Sequence, residues 1–330
     1  MTAAVDFASV AVTEIRLEDL EQYRRELTGY CYRMLGSSFE AEDAVQEALV
    51  RAWKASDSFE GRSAARSWLY RIATNVCLDM LRGRQRRARP MDLGGPYTVD
   101  DFKGATLPEH AWLQPIPDGR VLREDGDPAE LAASRETIRL AFVAALQHLP
   151  PRQRAVLILR EVLRWQATEV AELLDTTVAS VNSALQRARA TLAHHDVSEA
   201  AMVAPVDADQ QELLARYVEA FESYDIERLV TLLHEDAVMS MPPYDFWLRG
   251  PAEMARFFLG PGIGCRGSRL VPFTANGAPA FGSYKADPEG GHSPWAIQVL
   301  DISGDRIVGH HNFVDPALFP AFGLPEHLPT

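Results

Sequence analysis

The chain has 330 residues, of which 47% are hydrophobic and 24% are charged, and its formal net charge at pH 7 is -13. This composition is typical of a globular protein with more than one domain, and no apolar run reaches the length of about 18 residues that a membrane helix requires. The amino-terminal segment lacks the regions of a signal peptide, and the cysteines are too scattered for a disulfide framework or a zinc site. We therefore expect a cytoplasmic protein that needs neither a metal nor another cofactor.

Residues 17–89 are predicted to form a helical domain. Along its first clear helix, one apolar stripe recurs at helical spacing and consists of Ala41, Ala44, Val45, Ala48, Leu49, Ala52 and Trp53. The opposite face carries Asp43, Gln46, Glu47 and Arg51, with Val50 among them. Such a face is either solvated or a docking surface for another protein, and the spacing alone leaves both interpretations open.

The next helix of this domain, residues 68–81, ends in a concentration of positive charge. Between residues 62 and 89 there are eight arginines and one acidic residue, although the whole chain is acidic. Aromatic faces stack unpaired bases, arginines hold a phosphate backbone, and an asparagine can bind the edge of an extruded base. The candidate residues are Arg66, Trp68, Arg71, Asn75, Arg82, Arg84, Arg86 and Arg87, with Tyr70 as a second aromatic ring. The alternative is a core helix whose basic end suits its dipole.

Residues 90–127 lose the helical periodicity and are rich in proline, glycine and aspartate, which predicts a linker longer than most loops. Its apolar side chains are candidates for docking on another part of the chain, and they are Trp112, Leu113 and Ile116. Residues 128–195 return to helical spacing and are predicted to form a second helical domain. One helix is expected over residues 128–149, because two prolines follow it.

A helix-turn-helix pattern over residues 168–192 is the strongest local signal. Ala171 is small enough for two helices to cross closely, and Asp175 tolerates the left-handed backbone that the turn often needs. The second helix carries side chains that suit the major groove, namely Asn182, Ser183, Gln186, Arg187 and Arg189. An ordinary helical hairpin with a solvated face is the alternative, because such patterns have many false positives.

The last part of the chain has a different pattern. After a short linker, residues 196–206, two helical segments precede five strand-like runs, with one short helix inserted among them. Glycine, asparagine and aspartate mark the turns between the runs. Residues 207–330 are therefore predicted to form an α+β domain whose helices precede a mostly antiparallel sheet.

Two long segments resemble a known family, the extracytoplasmic-function sigma factors of bacterial RNA polymerase. AEDAVQEALVRAWKASDSFEGRSAARSWLYRIATNVCLDMLRGRQRR, residues 41–87, is similar to their region 2. LQHLPPRQRAVLILREVLRWQATEVAELLDTTVASVNSALQRARATL, residues 146–192, is similar to their region 4. The resemblance implies an all-α region 2 and an all-α region 4 in a protein that directs core polymerase to promoter DNA.

The resemblance also implies roles for residues that match the motifs of the family. Asp43, Gln46, Glu47 and Arg51 then belong to the helix that docks on the clamp coiled coil of polymerase. Asn75 and the basic segment after it match the part that reads the −10 element and captures a flipped base. The polar residues of the second helix in the helix-turn-helix match the −35 reader, and AVLILR lies where region 4 meets the flap. Asp175 and Asn182 depart from many members, so the −35 preference cannot be copied from them.

The last domain resembles a SnoaL-like cone fold, and the order of the three domains looks like that of the mycobacterial sigma-G type. In related families such a tail packs on the sigma core and modulates it in place of a separate anti-sigma factor. Those families carry a Trp-Leu-Pro motif in the linker, and AWLQPIPDG, residues 111–119, is similar to it except at Gln114. The resemblance therefore implies a linker that is docked.

Cone folds also host enzymes that use an acid–base pair in an apolar pocket. The titratable candidates in this domain are Asp245, His292, His310, His311 and Asp315, and the candidate pocket for a small-molecule ligand consists of Tyr244, Phe246, Trp247 and His311. The fold does not by itself imply an activity, and single titratable residues are weak signals. The preferred hypothesis is a promoter-specificity subunit regulated by its own tail. The alternatives are a free-standing DNA-binding regulator and a tail enzyme tethered to a DNA-binding module.

Overall fold

A computed structural model describes residues 20–56, 65–123, 125–193 and 208–329. The first helical domain consists of α1 (Arg24–Leu35), α2 (Ser38–Lys54) and α3 (Ala65–Met80). Gly36 ends α1 in a left-handed conformation, and Ser37 caps α2 by accepting a hydrogen bond from the amide of Glu40. The apolar stripe of α2 is buried except at Trp53, which is 58% exposed, so the prediction was wrong there. Trp53 lies in the last turn of α2, one residue before the helix ends.

The second helical domain contains five helices. They are α4 (Pro128–Glu136), α5 (Leu140–Gln147), α6 (Pro151–Leu157), α7 (Ala167–Leu173) and α8 (Val178–Ala193), and a π-helical turn, Ile158–Val162, extends α6. Helices α7 and α8 form the expected helix-turn-helix. Asp175 in its turn has a φ of 49°, in the left-handed region, as predicted.

The single helix expected over residues 128–149 is broken between α4 and α5, so that prediction was wrong. Arg139, at the break, has an extended backbone with ψ of 145°. Arg33 of α1 donates to the carbonyl of Thr137 at 2.9 Å, and Asn276 of the last domain donates to that of Ile138 at 2.7 Å. Hydrogen bonds from other domains therefore satisfy carbonyls that a continuous helix would use internally.

The carboxy-terminal domain combines three helices with one six-stranded sheet. The helices are α9 (Ala208–Glu222), α10 (Ile226–Thr231) and α11 (Pro251–Leu259), and the strands are β1 (Leu233–Ser240), β2 (Trp247–Arg249), β3 (Arg269–Ala275), β4 (Ala278–Ala286), β5 (His292–Ser303) and β6 (Arg306–Phe313). The strand order is β2-β1-β6-β5-β4-β3, and only the pairing of β1 with β6 is parallel among these strands. The domain is α+β, as expected, although the three-residue β2 was not predicted because it is too short to show alternation.

The linker between the helical domains is docked, as the apolar residues within it predicted. Trp112, Leu113 and Ile116 are all buried. Main-chain hydrogen bonds join the linker to the first domain on both sides of Trp112, because Ala88 donates to the Ala111 carbonyl and Leu113 donates to that of Ala88. The linker therefore forms part of the packed structure instead of spanning solvent between the helical domains.

Two apolar cores organise the described residues. The first contains side chains from both helical domains, from the linker and from one face of the sheet, including Ala275, Ile297 and Val299. The second lies between the opposite face of the sheet and helices α9–α11. The sheet thus separates a core shared by all three domains from a core built by the tail, against which the linker residues Tyr97, Val99 and Phe102 pack. None of the described helices is both long and apolar enough to cross a bilayer.

Candidate nucleic-acid interface

Helix α3 and the basic segment after it expose only part of the predicted set. Arg71 and Asn75 are exposed on α3, and the exposed arginines beyond its end are Arg82, Arg84 and Arg86. Trp68 is partly buried against the shared core, and Tyr70 is fully buried. The prediction that Tyr70 stacks a base was therefore wrong, since its ring lies against the rings of Tyr30 and Trp165.

Among the predicted arginines, Arg66 and Arg87 are held by several contacts within the protein. Arg66 forms an ion pair with Glu26 at 2.9 Å, and its guanidinium lies 5.5 Å from the ring centroid of Trp165 in the second helical domain. Arg87 is only 7% exposed, and it donates to the carbonyl of Trp112 at 2.7 Å. Arg87 also pairs with Glu40 at 2.9 Å, so it ties the linker to α2. In this arrangement Arg87 is not available to a phosphate backbone, and the partly exposed Arg66 is already paired with Glu26.

The predicted groove-reading face of the helix-turn-helix is open. Its five residues, Asn182, Ser183, Gln186, Arg187 and Arg189, are all exposed on α8. Val181 and Leu185 on the other side of α8 are buried against Val170 and Ala171 of α7, which is the close crossing that the small residue predicted. Arg189 forms an ion pair with Glu161 across the domain. The geometry therefore presents a polar helix face of the kind that enters a major groove.

The polar face of α2 is also open, and it has an apolar component. Asp43, Gln46, Glu47 and Arg51 are exposed, and Arg51 pairs with Glu47 at 2.7 Å. Val50 and the misassigned Trp53 are exposed beside them, at 37% and 58%. Apolar side chains surrounded by charged ones are typical of a protein–protein contact.

Helix α3 is in direct contact with the helix-turn-helix. Arg71 of α3 donates to the carbonyl of Glu172 in α7 at 3.2 Å, and its guanidinium lies 3.8 Å from the carboxylate of the same residue. Farther along the chain, Arg86 contacts the imidazole of His148, at the end of α5. The basic segment of the first domain is therefore placed against the second domain.

A turn of the carboxy-terminal domain joins all the other parts of the protein. Asn276, between β3 and β4, donates to the hydroxyl of Tyr32 in α1 at 2.7 Å as well as to the Ile138 carbonyl. Its side-chain oxygen accepts from the amide of Ile116 in the linker at 2.9 Å. The next residue, Gly277, donates to the Asp118 carboxylate at 2.8 Å. Asparagine and glycine were predicted to mark turns in this domain, and nothing in the local sequence indicated these contacts.

A second contact joins the sheet to the second helical domain. Arg139 is buried and lies 3.1 Å from the carboxylate of Asp301 in β5. His311 bonds the same carboxylate at 3.1 Å through Nε2, and its Nδ1 lies 2.9 Å from the Ser240 hydroxyl. Burial acts to raise the pKa of Asp301, but the hydrogen bond and charge of His311 and the charge of Arg139 outweigh it and lower that pKa. His311 therefore belongs to this interface.

The predicted pocket residues of the tail are only partly brought together. A cavity of about 180 Å³ opens inside the carboxy-terminal domain, and of the four predicted residues only Tyr244 lines it. Phe246 and Trp247 instead hold the linker, because Trp247 donates to the Gly94 carbonyl at 2.9 Å and Phe246 packs on Tyr97. No carboxylate or imidazole is among the described residues that line the cavity, and its titratable side chains are Tyr244, Cys265 and Lys285.

The polar floor of the cavity was missed by sequence reasoning. Gln298 and Asn312 are opposite each other on β5 and β6, and both line the cavity. Tyr217 donates to Oε1 of Gln298 at 2.8 Å and also lies 2.8 Å from His310 Nε2. Asn312 lies 3.2 Å from the other nitrogen, Nδ1 of His310. Burial lowers the pKa of His310 to about 3, so its ring is neutral at pH 7 and bridges two hydrogen-bond partners.

Comparisons with known proteins agree with this division into three domains. The family model Sigma-70 region 2 matches residues 20–87, Sigma-70 region 4 matches residues 139–192, and SnoaL-like domain matches residues 214–310. The chain is 47% identical over 311 residues to the ECF RNA polymerase sigma factor SigG of Mycobacterium tuberculosis, covering 93% of this chain and 83% of that protein. The chain belongs to the extracytoplasmic-function sigma factors of RNA polymerase.

Two further similarities concern a second mycobacterial sigma factor. The chain is 28% identical over 252 residues to the ECF RNA polymerase sigma factor SigJ of M. tuberculosis, covering 74% of this chain and 73% of SigJ. The crystal structure of SigJ superposes with a TM-score of 0.59 at 23% identity, over 94% of this chain and all of SigJ. In this sigma factor the first helical domain is thus region 2, the second is region 4, and the tail has the SnoaL-like fold. Within the described ranges, no three His, Cys, Asp or Glu side chains are grouped as a metal site.

We expect this sigma factor to lose stability between pH 7 and pH 5 because of His310. The pKa of about 3 in the folded protein is below the ordinary value of 6.5, so in this range the unfolded chain binds a proton that the folded one does not. Stability therefore rises with pH, and His310 should account for about 2 kcal/mol between pH 5 and pH 7. Urea unfolding of the full chain at the two pH values measures the difference.

His310→Gln should remove most of that loss, because an amide offers both a donor and an acceptor and does not titrate. His234→Gln changes an exposed histidine of β1 and serves as the matched control, which should keep the dependence of the parent protein. An unaltered pH dependence in His310→Gln would contradict the assignment of a neutral, buried imidazole.

Proposed function

We propose that this sigma factor directs core RNA polymerase to promoters, with region 2 reading the −10 element and region 4 reading the −35 element. Asn75 captures a flipped base, while Arg71, Arg82, Arg84 and Arg86 contact the melted strand. The exposed face of α8 enters the major groove at −35, and the exposed face of α2 docks on the clamp coiled coil. Its place of action is then the cytoplasm, where polymerase works.

We further propose that the SnoaL-like domain modulates the sigma core by stabilising a closed form, in which regions 2 and 4 are in contact and the linker is docked. The −10 and −35 elements are separated by about 25 base pairs, which is roughly 85 Å of duplex. In the structure, Arg71 of the −10 helix is 3.2 Å from the carbonyl of Glu172 in the −35 module. One protein cannot keep that contact and engage both elements at once, so the two regions must separate on the promoter.

The linker and the flap-binding segment support the same proposal. When extended, residues 90–127 can span roughly 125 Å, which exceeds the distance between the two elements. In the closed form this linker is docked, and its residues Trp112 and Leu113 are buried. Residues 155–159, which match the segment that meets the polymerase flap, are buried in the shared core. Binding to the flap through these side chains therefore requires the same opening.

The contact that carries the proposal is the Asn276 turn. Through one side chain it joins α1 of region 2, the linker and the α4–α5 break of region 4. The ion pair of Arg139 with Asp301 adds a second link from the tail to region 4. A tail that contacts both regions and the linker stabilises the closed form relative to any form in which the regions separate.

A pair of glycine variants tests this function. Gly277 (φ 68°) and Gly304 (φ 58°) both have left-handed backbones in turns of the same sheet. A Cβ at Gly277 would be 2.9 Å from the Arg135 carbonyl of region 4, whereas a Cβ at Gly304 meets no atom within 4 Å. Gly277→Ala and Gly304→Ala therefore share the backbone strain, and only the former disturbs the interface.

We expect full-length Gly277→Ala to bind core polymerase more tightly than Gly304→Ala does. It should also give about tenfold more transcript from a cognate promoter. This factor corresponds to a loss of about 1.4 kcal/mol in the stability of the closed form. Transcription in vitro, with start sites mapped and core binding measured in parallel, provides the comparison. Equal activity of the two variants would show that the interface does not restrain the sigma core.

A further inference from the structure

The cavity of the SnoaL-like domain has one wall that comes from outside the domain. Phe102, a linker residue, lines it, and the other residues that line it belong to the tail. The ring of Phe102 packs edge-on against the rings of Phe246 at 4.8 Å, Tyr244 at 5.6 Å and Phe257 at 5.8 Å between centroids. Whatever occupies the cavity therefore touches the segment that joins region 2 to region 4.

Several bonds hold this part of the linker in place against the tail. Arg256 of α11 pairs with Asp100 at 2.9 Å, and Glu253 accepts from the amide of Val99 at 2.8 Å. Earlier in the linker, the amide of Tyr97 donates to the Trp247 carbonyl at 2.9 Å. The position of Phe102 at the cavity is thus part of the docked linker, and it is lost when the linker leaves.

The cavity combines an apolar wall with a small set of polar groups. Phe221, Met239 and Phe258 contribute to the apolar lining. On the polar side, Oε1 of Gln298 accepts from Tyr217, which leaves the amide N–H groups of Gln298 as donors, and Lys285 adds an ammonium. Lys285 lies 3.3 Å from the ring centroid of Trp295, which also lines the cavity. Burial lowers the pKa of Lys285, because leaving water disfavours the charged ammonium. An anion bound beside the ammonium would offset that cost.

The size of the cavity limits its ligand to one ring. A protein cavity of about 150 Å³ lined by apolar side chains accepts benzene, and this one has about 180 Å³. The lining supplies aromatic faces for such a ring and one cation with amide donors for an acidic group. A larger polycyclic compound would require the linker to withdraw first.

We propose that this cavity binds a small one-ring carboxylic acid and that the ligand, by packing against Phe102, strengthens the docking of the linker. The ligand then acts as a co-inhibitor, because it gains the Phe102 contact only in the closed form. The effect on transcription rests on the function proposed above, whereas binding to the cavity and protection of the linker do not depend on it.

Calorimetric titration of the full-length protein with benzoate, and with benzamide as its neutral counterpart, tests the site. We expect benzoate to bind, and Phe102→Ala to weaken the binding of both compounds about tenfold by removing an aromatic contact. Lys285→Met should weaken benzoate about tenfold and leave benzamide nearly unchanged. Leu93→Ala, at an exposed linker position outside the cavity, is the matched control and should bind like the parent.

Hydrogen exchange of the linker provides the second readout. Benzoate should slow the exchange of amides in residues 97–107 in the parent and in Leu93→Ala, with no such effect in Phe102→Ala. Tighter benzoate binding by Phe102→Ala would overturn the proposal, because it would mean that the ligand competes with the linker. No binding at millimolar benzoate would overturn it as well. Binding with linker protection, but with equal transcription from the two glycine variants, would uphold this site and reject the proposed regulation.

Discussion

Replacing Asn276 with glycine should open the protein by removing the side-chain hydrogen bonds through which this residue links the tail to both sigma regions. Glycine adopts the φ of 55° found at this position without strain, so the variant removes the side chain and little else. In the closed form the Ile116 amide and the Ile138 carbonyl would lose the partners they now have. Each unsatisfied group of this kind costs about 1–3 kcal/mol, so the closed form should lose about 3 kcal/mol in total.

That loss corresponds to a shift of about a hundredfold toward forms in which regions 2 and 4 separate. Small-angle scattering should show a larger radius of gyration, and hydrogen exchange should accelerate in the linker around Ile116. Asp305→Gly is the matched control, because it places a glycine in an exposed turn of the same sheet. A protein that keeps its radius and its exchange protection after Asn276→Gly would show that other contacts dominate the closed form.

Asn75→Ala should impair promoter opening far more than polymerase binding. Asn75 is exposed in the middle of α3, and the neighbouring core residues Ala73, Thr74 and Val76 are buried, so the substitution leaves the packing of the helix unchanged. If the amide holds an extruded −10 base, its loss removes part of the free energy that offsets unstacking, which is a few kcal/mol. We expect open complexes to fall about 10–100-fold, as measured by footprinting of unpaired thymines.

A template already unpaired across −10 should recover part of the lost activity, because the cost of extruding the base is then smaller. Asn182→Ala is the matched control on α8. It should weaken a promoter that depends on its −35 element and leave the melting step intact. If Asn75→Ala instead reduced affinity for core polymerase, the assignment of α3 to the −10 element would be wrong.

The features that the sequence predicted well are those that depend on neighbours within about one turn of helix or one hairpin. The burial of Ala171, the left-handed Asp175 and the exposed face of α8 all follow from helical spacing and local backbone preference. The five longer strands of the tail follow from alternation and turn residues, while the three-residue β2 is too short to show either signal.

Several of the errors occur where a distant part of the chain supplies the contact. At the break between α4 and α5, Arg33 and Asn276 bind the carbonyls that a continuous helix would use internally. Arg87 lies in an arginine-rich segment of the kind that binds nucleic acid, yet its side chain is buried against Glu40 and the linker carbonyls. For His310 and His311, alternation predicts that the two rings lie on opposite faces of β6. It does not predict which face lines the cavity of the tail.

The sequence by itself therefore determined the three domains, the family and the surfaces of α2 and α8 that remain open, because these depend on local spacing and on motifs that lie within one helix. Only the tertiary structure decided that regions 2 and 4 are in contact, that the tail joins them through Asn276, and that Phe102 closes a cavity in another domain. The residues of these contacts are distant in sequence, as Tyr32, Ile138 and Asn276 are. Their pairing depends on how complete domains pack, and no periodicity within a single element carries that information.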